Sequence, residues 1–250
     1  MSRFYHSVIL FRFVPVESGF FCFQGLAPQV PVPFEKVEGM PRAARQLVDG
    51  GIYHLINRGN GQQRVFHKDR DYLAFTDLLA DMSDRYAVEV LAWCLMSNHY
   101  HLVVRPQIAT DLSRGMHWFQ TTHVRRYHRH YGSSGHLWQG RYKSFAIEDS
   151  DQLLAVIRYV EANPVRANMV NSATGWPWSS HQERCDLGTG STGACPSSKA
   201  VELHTGACPA AHAKGSILAP LPIELPQPWT EYVDTPVTGP ELAKIKKKLK

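Results

Sequence analysis

Two histidines stand two residues apart in the run Asn98-His-Tyr-His-Leu-Val-Val104. On a strand, residues two apart share a face, so His99 and His101 present their imidazoles side by side. Adjacent same-face imidazoles can chelate one metal ion. Histidines at this spacing also occur as ordinary half-buried strand residues. The second candidate is Tyr159, in a segment whose apolar stripe is Leu153, Val156, Ile157 and Val160. At 100° per residue, Tyr159 lies off that stripe and Asn163 follows one turn later on its face. A tyrosine at a helix edge is a common amphipathic residue. Beside a divalent cation and a bound phosphate, its phenolate is a competent nucleophile.

The elements that must carry these residues can be read from periodicity and turn chemistry. Residues 51–57 read as a strand on β-branched and aromatic content. Residues 69–86 read as a helix, with Tyr72, Phe75, Leu78, Leu79 and Met82 at helical spacing. Residues 88–95 and 99–104 read as two strands of a hairpin turning at Ser97-Asn98. A long helix is expected over 110–131, ended by Gly132, and a fourth strand over 138–147. Asp149-Ser-Asp-Gln152 reads as a capping box opening the Tyr159 helix, which Pro164 closes. The order β-α-β-β-α-β-α is a split βαβ arrangement. It predicts an α+β, ferredoxin-like (RRM-like) sandwich with an antiparallel sheet and an added C-terminal helix.

The chain has 250 residues, 27 Lys+Arg against 22 Asp+Glu, a net charge of +5 and 44% hydrophobic residues. That composition is globular and excludes disordered and collagenous classes. No apolar run reaches the ~18 residues of a membrane span; Arg12 and Pro15 interrupt the best candidate, Val8 to Val16. Cys22, Cys94, Cys185, Cys195 and Cys208 are scattered without a C-x-x-C pair, which argues for a reducing cytoplasm and against a zinc ribbon.

The charge is unevenly placed. Between 105 and 143 lie Arg105, Arg114, Arg125, Arg126, Arg129, Arg141 and Lys143, against Asp111 as the one acid. Trp118, Phe119, Tyr127, Tyr131, Trp138 and Tyr142 interleave with them. Guanidinium groups neutralise phosphates and aromatic faces stack on unpaired bases, so this stretch is a nucleic-acid footprint. A solvated helix face with core aromatics reads the same way in composition.

Residues 1–39 are rich in Phe, Val and Pro without a sustained period, and Met40 reads as a fresh start, so a translation start at Met40 is expected. Residues 40–184 read as the catalytic domain. Residues 185–250 read as a low-complexity insertion followed by a basic tail, Lys244 to Lys250. His204, Cys208 and His212 fall at four-residue spacing but lack a supporting cysteine pair for zinc.

Taken together, the ordered motifs resemble one family. Tyr53-His-Leu-Ile-Asn-Arg-Gly-Asn60 and Trp93-Cys-Leu-Met-Ser-Asn-His-Tyr-His-Leu-Val-Val104 resemble the single-tyrosine HUH transposases. Gly135-His-Leu-Trp-Gln-Gly-Arg-Tyr-Lys143, Tyr159-Val-Glu-Ala-Asn-Pro-Val-Arg-Ala167 and Trp176-Pro-Trp-Ser-Ser180 are similar to the branch of REP-associated tyrosine transposases. The resemblance spans about Met40 to Ser180, with a weaker echo from Trp229. It implies that His99 and His101 are metal ligands, Asn163 a third polar ligand and Tyr159 the nucleophile. The implied metal is Mg²⁺ or Mn²⁺; two imidazoles and an amide suit Mn²⁺ at least as well as Mg²⁺.

The implied activity is that of a DNA strand transferase and endonuclease without a nucleotide cofactor. Single-stranded DNA beside a palindromic, REP-like hairpin is cleaved to a 5′-phosphotyrosine link and a free 3′-OH, then rejoined. The basic and aromatic stretch, with Arg105, Arg114, Arg125, Arg126, Arg129, Trp138, Arg141 and Lys143, is expected to hold the DNA. A cytoplasmic, nucleoid-associated protein is expected, as a monomer or a homodimer. The alternatives are a non-catalytic nucleic-acid-binding regulator on the same fold, or another HUH nickase, a rolling-circle initiator or relaxase.

Overall fold

The computed structural model describes residues 46–189 and 216–236. The expected start at Met40, the extension 1–39, the set His204, Cys208 and His212, and the basic run from Lys244 lie outside those residues. A first strand, β1 (Ile52–Arg58), leads to helix α1 (Asp69–Tyr86), strands β2 (Val88–Met96) and β3 (His99–Pro106), and helix α2 (Ala109–Tyr131). Strand β4 (Lys143–Ile147) follows, then helices α3 (Ser150–Glu161), α4 (Asn163–Arg166), α5 (Ser180–Thr189) and α6 (Trp229–Asp234).

The sheet order is β2-β3-β1-β4 and every neighbouring pair is antiparallel, the expected ferredoxin-like arrangement. Alternation along β3 divides the molecule into layers. Tyr100, Leu102 and Val104 face one way and join the core with α1 and α2. Val103 faces the other way and packs with Leu153, Val156, Ile157 and Val160 of α3. His99 and His101 share that second face, so β3 aims the histidine pair at the layer carrying Tyr159.

Local chemistry sets the element ends. Asp71 Oδ2 accepts from the backbone N–H of His67 and Lys68, at 2.8 and 3.1 Å, and so satisfies donors at the start of α1. Met96 pairs with His99, which leaves Ser97 and Asn98 as a two-residue hairpin loop. Gly132, with φ +58, ends α2 in the left-handed conformation. Gly115 lets α2 approach α1 closely: a Cβ there would meet Tyr86 at 3.2 Å and Met82 at 3.3 Å. Asp149 caps α3 by accepting from the Gln152 N–H at 2.6 Å.

Three features depart from the sequence expectation. Strand β4 begins at Lys143 rather than 138, because the chain ahead of it spends its hydrogen bonds across the end of β1. Gln139 N donates to Arg58 O at 2.9 Å, and Gly140 O accepts from Asn57 Nδ2 at 2.9 Å. Helix α3 ends at Glu161, and Pro164 sits in the first turn of the separate α4, where its missing N–H costs nothing. Part of the region read as insertion and tail belongs to the core: Ile217, Trp229 and Val233 are buried, and Ala219 N donates to Val90 O at 2.9 Å.

Candidate active site

A third histidine completes the face of the sheet that carries His99 and His101. In the β1–β3 register Ile56 lies opposite His101, so His54, two residues earlier on β1, shares that face. Its ring stacks on His101 with centroids 5.2 Å apart and planes 19° apart. His54 Nε2 and His101 Nδ1 are hydrogen-bonded at 3.0 Å, and His99 Nδ1 bonds Asn98 Oδ1 at 2.7 Å. The Nδ1 atoms of His99 and His101 are therefore both anchored. An anchored Nδ1 fixes the ring orientation and turns Nε2 outward as the ligand atom.

Burial keeps these rings neutral. It pushes His54 down to about 3. It also lowers His99, aided by the Arg58 charge, to about 4. His101 is held well below the usual imidazole range by burial, then by His54, His99, Arg166 and Arg58. A neutral imidazole is the form that binds a metal.

Helix α3 brings Tyr159 to the same place. Its ring meets His101 edge-on at 5.8 Å and His54 at 6.2 Å. The Arg166 guanidinium, on α4, lies 4.5 Å from the Tyr159 ring centroid. Asn163 follows one turn after Tyr159, and its side-chain Nδ2 is buried without a hydrogen-bond partner. Among the described residues, no group of three or more His, Cys, Asp or Glu side chains forms a metal site. The orphaned Nδ2 is a hydrogen-bond donor and cannot itself ligate; with Asn163 Oδ1, the two neutral imidazoles would give a mixed N/O donor set of the kind that takes Mn²⁺ or Mg²⁺.

The structure thus gathers His99, His101 and Tyr159, and adds His54 and Arg166, which the spacing of residues did not single out. Either could have been found only from its neighbours in space. His54 needs the β1–β3 register. Arg166 lies beyond the end of α3, seven residues after Tyr159, and reaches its ring from α4.

The expected DNA-contacting residues are more dispersed. Arg125, Arg126 and Arg129 are exposed on α2, as are Arg141 and Lys143 around the start of β4. Arg114 is exposed and bonded to Asp111 at 3.1 Å. Arg105 lies toward the other end of β3 from His99, paired with Glu89 at 2.5 Å.

Trp138 differs from the expectation that it offers a stacking face. It is 5% exposed and packed among Phe75, Tyr100 and His123, so its ring belongs to the core. A cleft of about 420 Å³ opens beside it, lined by Gln120, Arg125, His136 and Gly140.

Comparison with known proteins shows what the chain is similar to. Residues 48–163 match the family model described as IS200-like transposase. A Haemophilus influenzae protein named as a REP-associated tyrosine transposase is 23% identical over 159 residues, covering 56% of this chain and 85% of that protein. The solved structure of a REP-associated tyrosine transposase bound to a REP hairpin is 18% identical, with a TM-score of 0.49 over 68% of this chain and 96% of that one. A Deinococcus radiodurans transposase structure is 22% identical, with a TM-score of 0.33 over 49% of this chain and 97% of that one.

Proposed function

We propose, with residues 48–163 matching the model of IS200-like transposases, that this chain is a member of that family and a metal-dependent strand transferase acting on single-stranded DNA beside palindromic, REP-like hairpins. The observation that carries this reading is the edge of the Tyr159 ring against the buried His54–His101 pair, 5.8 Å from His101. The helix bearing the proposed nucleophile meets there the neutral ring of His101, a proposed metal ligand held by His54, with a guanidinium over the tyrosine.

In this reading His99, His101 and Asn163 hold a divalent ion, which when bound polarises the scissile phosphate. The Tyr159 phenolic oxygen attacks phosphorus in line. A Tyr–O–P bond forms and the bond from phosphorus to the 3′-oxygen breaks. The phenolic proton leaves to solvent and the departing 3′-oxygen takes one up, giving a 5′-phosphotyrosine link and a free 3′-OH. A 3′-OH from a second end then attacks the adduct and releases Tyr159. One phosphodiester is exchanged for another, so no nucleotide triphosphate is required. Arg166 keeps a permanent positive charge beside the tyrosine ring, and the exposed arginines of α2 attract the DNA backbone.

The test mixes the full chain with labelled single-stranded DNA carrying a palindromic hairpin from the gene's own flanks, with Mn²⁺ or Mg²⁺. A denaturant-resistant protein–DNA adduct is expected, lost with EDTA and lost in Tyr159→Phe. Hairpin binding without any adduct in either metal overturns the strand-transfer reading in favour of a DNA-binding regulator on the same fold.

A further inference from the structure

Behind Tyr159, the last turn of α3 is tied to α5 and α6 by a buried ionic cluster that the proposed DNA chemistry does not use. Glu161 is fully buried and accepts four hydrogen bonds. They come from Ser180 Oγ at 2.7 Å, His181 Nδ1 at 2.9 Å, Arg184 Nε at 2.8 Å and Trp229 Nε1 at 2.8 Å. With Nδ1–H of His181 donated to the carboxylate, its Nε2 faces Thr230 Oγ1 at 3.1 Å and Cys185 Sγ at 3.7 Å. Cys185 Sγ is also 3.4 Å from Thr230 Oγ1. A carboxylate that orients an imidazole beside a thiol is the arrangement that moves the thiol proton to the ring.

The electrostatics of the two cysteines of the described residues differ accordingly. Burial raises Cys185, but the bonds from His181 and Thr230 and the His181 charge outweigh it and bring the thiol below its ordinary value. Burial lowers His181, and Cys185 and Glu161 outweigh that, raising it to about 9. Cys94 is fully buried against Met96 Sδ, and burial drives its thiol far up. Among the described residues, the titratable groups that act on Cys185 are His181 on its own helix and Glu161 from α3, and Arg184 lines the same cleft. Helix α6 contributes the neutral Thr230.

Cys185 is half-buried and opens onto a cleft of about 660 Å³. The walls of that cleft are chiefly apolar, with Leu221, Ile223, Leu225 and Trp229, and the 218–228 segment adds no charged lining residue. We propose that Cys185 is a modification site: a thiolate held beside the His181 imidazolium that exchanges with small, neutral, apolar disulfides entering this cleft. The thiolate attacks one sulfur of the disulfide, the Cys185–S–S–R bond forms, and the old S–S bond breaks. The second sulfur leaves as a thiolate and takes a proton from solvent. The incoming disulfide is the oxidant, so the exchange balances without another reagent.

The site needs neither DNA nor metal, so its failure would be separate from any failure of the strand-transfer reading. The test treats the reduced full chain with 4,4′-dithiodipyridine, a neutral aromatic disulfide, and maps the modified peptides by mass spectrometry. At pH 6 the first equivalent is expected on Cys185, about tenfold faster than glutathione reacts under the same conditions. Cys185→Ser removes that fast phase, while the map on the unaltered chain decides the matter independently of how the variant folds. First modification on Cys22, Cys195 or Cys208 overturns the proposal. So does a Cys185 rate that rises with pH only through the ordinary thiol midpoint of about 8.5.

Discussion

His54 Nε2 and His101 Nδ1 stand 3.0 Å apart in two buried, stacked rings, so the proton on one ring determines where the other carries its own. For His101 to offer Nε2 to a metal, its proton must sit on Nδ1 and be accepted by His54 Nε2. The proton of His54 then sits on its own Nδ1, which is buried without a partner. Leaving such a donor unpaired costs about 1–3 kcal/mol. The ring orientation that favours metal binding is thus held at the expense of one unsatisfied N–H.

His54→Ala removes the hydrogen bond that orients His101 while leaving His99, His101, Asn163 and Tyr159 in place. By the usual effect of removing a partner behind a metal ligand, Mn²⁺ affinity is expected to fall about 10–100-fold. Titration calorimetry on the DNA-free protein reads this directly. An unchanged affinity would mean that the β-sheet alone orients His101.

Glu161→Gln tests the anchor under the Tyr159 helix. The carboxylate is pushed up by burial, but Arg184, His181 and Ser180 outweigh that and hold it at about 2. Replacing it takes from Arg184 and His181 the carboxylate that both are bonded to, a loss of about 3–5 kcal/mol for one side of a buried pair. Urea unfolding should show the drop. The sign of the pH dependence also follows. His181, raised to about 9, contributes stability that is fully present below about 6.5 and lost as pH rises through about 9. The variant should lose that alkaline limb. A wild-type stability that stays flat from neutral pH to beyond 9 would contradict the cluster's electrostatics.

His123 gives the acid limb. It is 6% exposed, and burial, followed by the Arg126 charge, lowers it to about 3. Below about 6.5 the unfolded chain takes a proton that the folded ring refuses. Stability must therefore fall with decreasing pH until the folded value is reached, by about 1.4 kcal/mol per pH unit for this ring. His123→Phe, an aromatic replacement among Phe66, Phe75 and Trp138, should flatten the slope between pH 6 and 4 by about that amount. Chemical denaturation across this range is the measurement. An unchanged slope would show that His123 protonates in the folded state.

How much of this was readable from the sequence depends on what each element buries. The span of α1 is legible because Tyr72, Phe75, Leu78, Leu79 and Met82 repeat at helical spacing, and all five are buried. The histidine pair is legible because a spacing of two on a strand means one face. Helix α5 leaves no apolar stripe, since what it buries against α3 is His181 and Arg184 on a carboxylate. His54 is invisible for a different reason: its partner is 47 positions away and is reached only through strand register. Trp138 misleads because a tryptophan between basic residues looks alike in sequence whether its ring faces solvent or the core.

That last distinction separates two sets of variants. Arg125, Arg126 and Arg129 are exposed on α2, and in the proposed reading they would offer charge alone to a DNA backbone. Changing all three to Gln should lower the slope of log affinity against log salt by about 2, at roughly 0.7 per phosphate contact on single strands. Adduct formation at saturating DNA should be retained, because Tyr159 and the histidines are untouched. Trp138→Ala should do the reverse. It empties a core site next to Phe75 and Tyr100, with a cost of about 3–5 kcal/mol in stability and no change in the salt slope. Fluorescence anisotropy at several salt concentrations, beside thermal unfolding of the same proteins, reads both. A triple variant with an unaltered slope would remove the α2 face from the DNA path. A Trp138→Ala protein of normal stability but weaker binding would return that ring to the DNA.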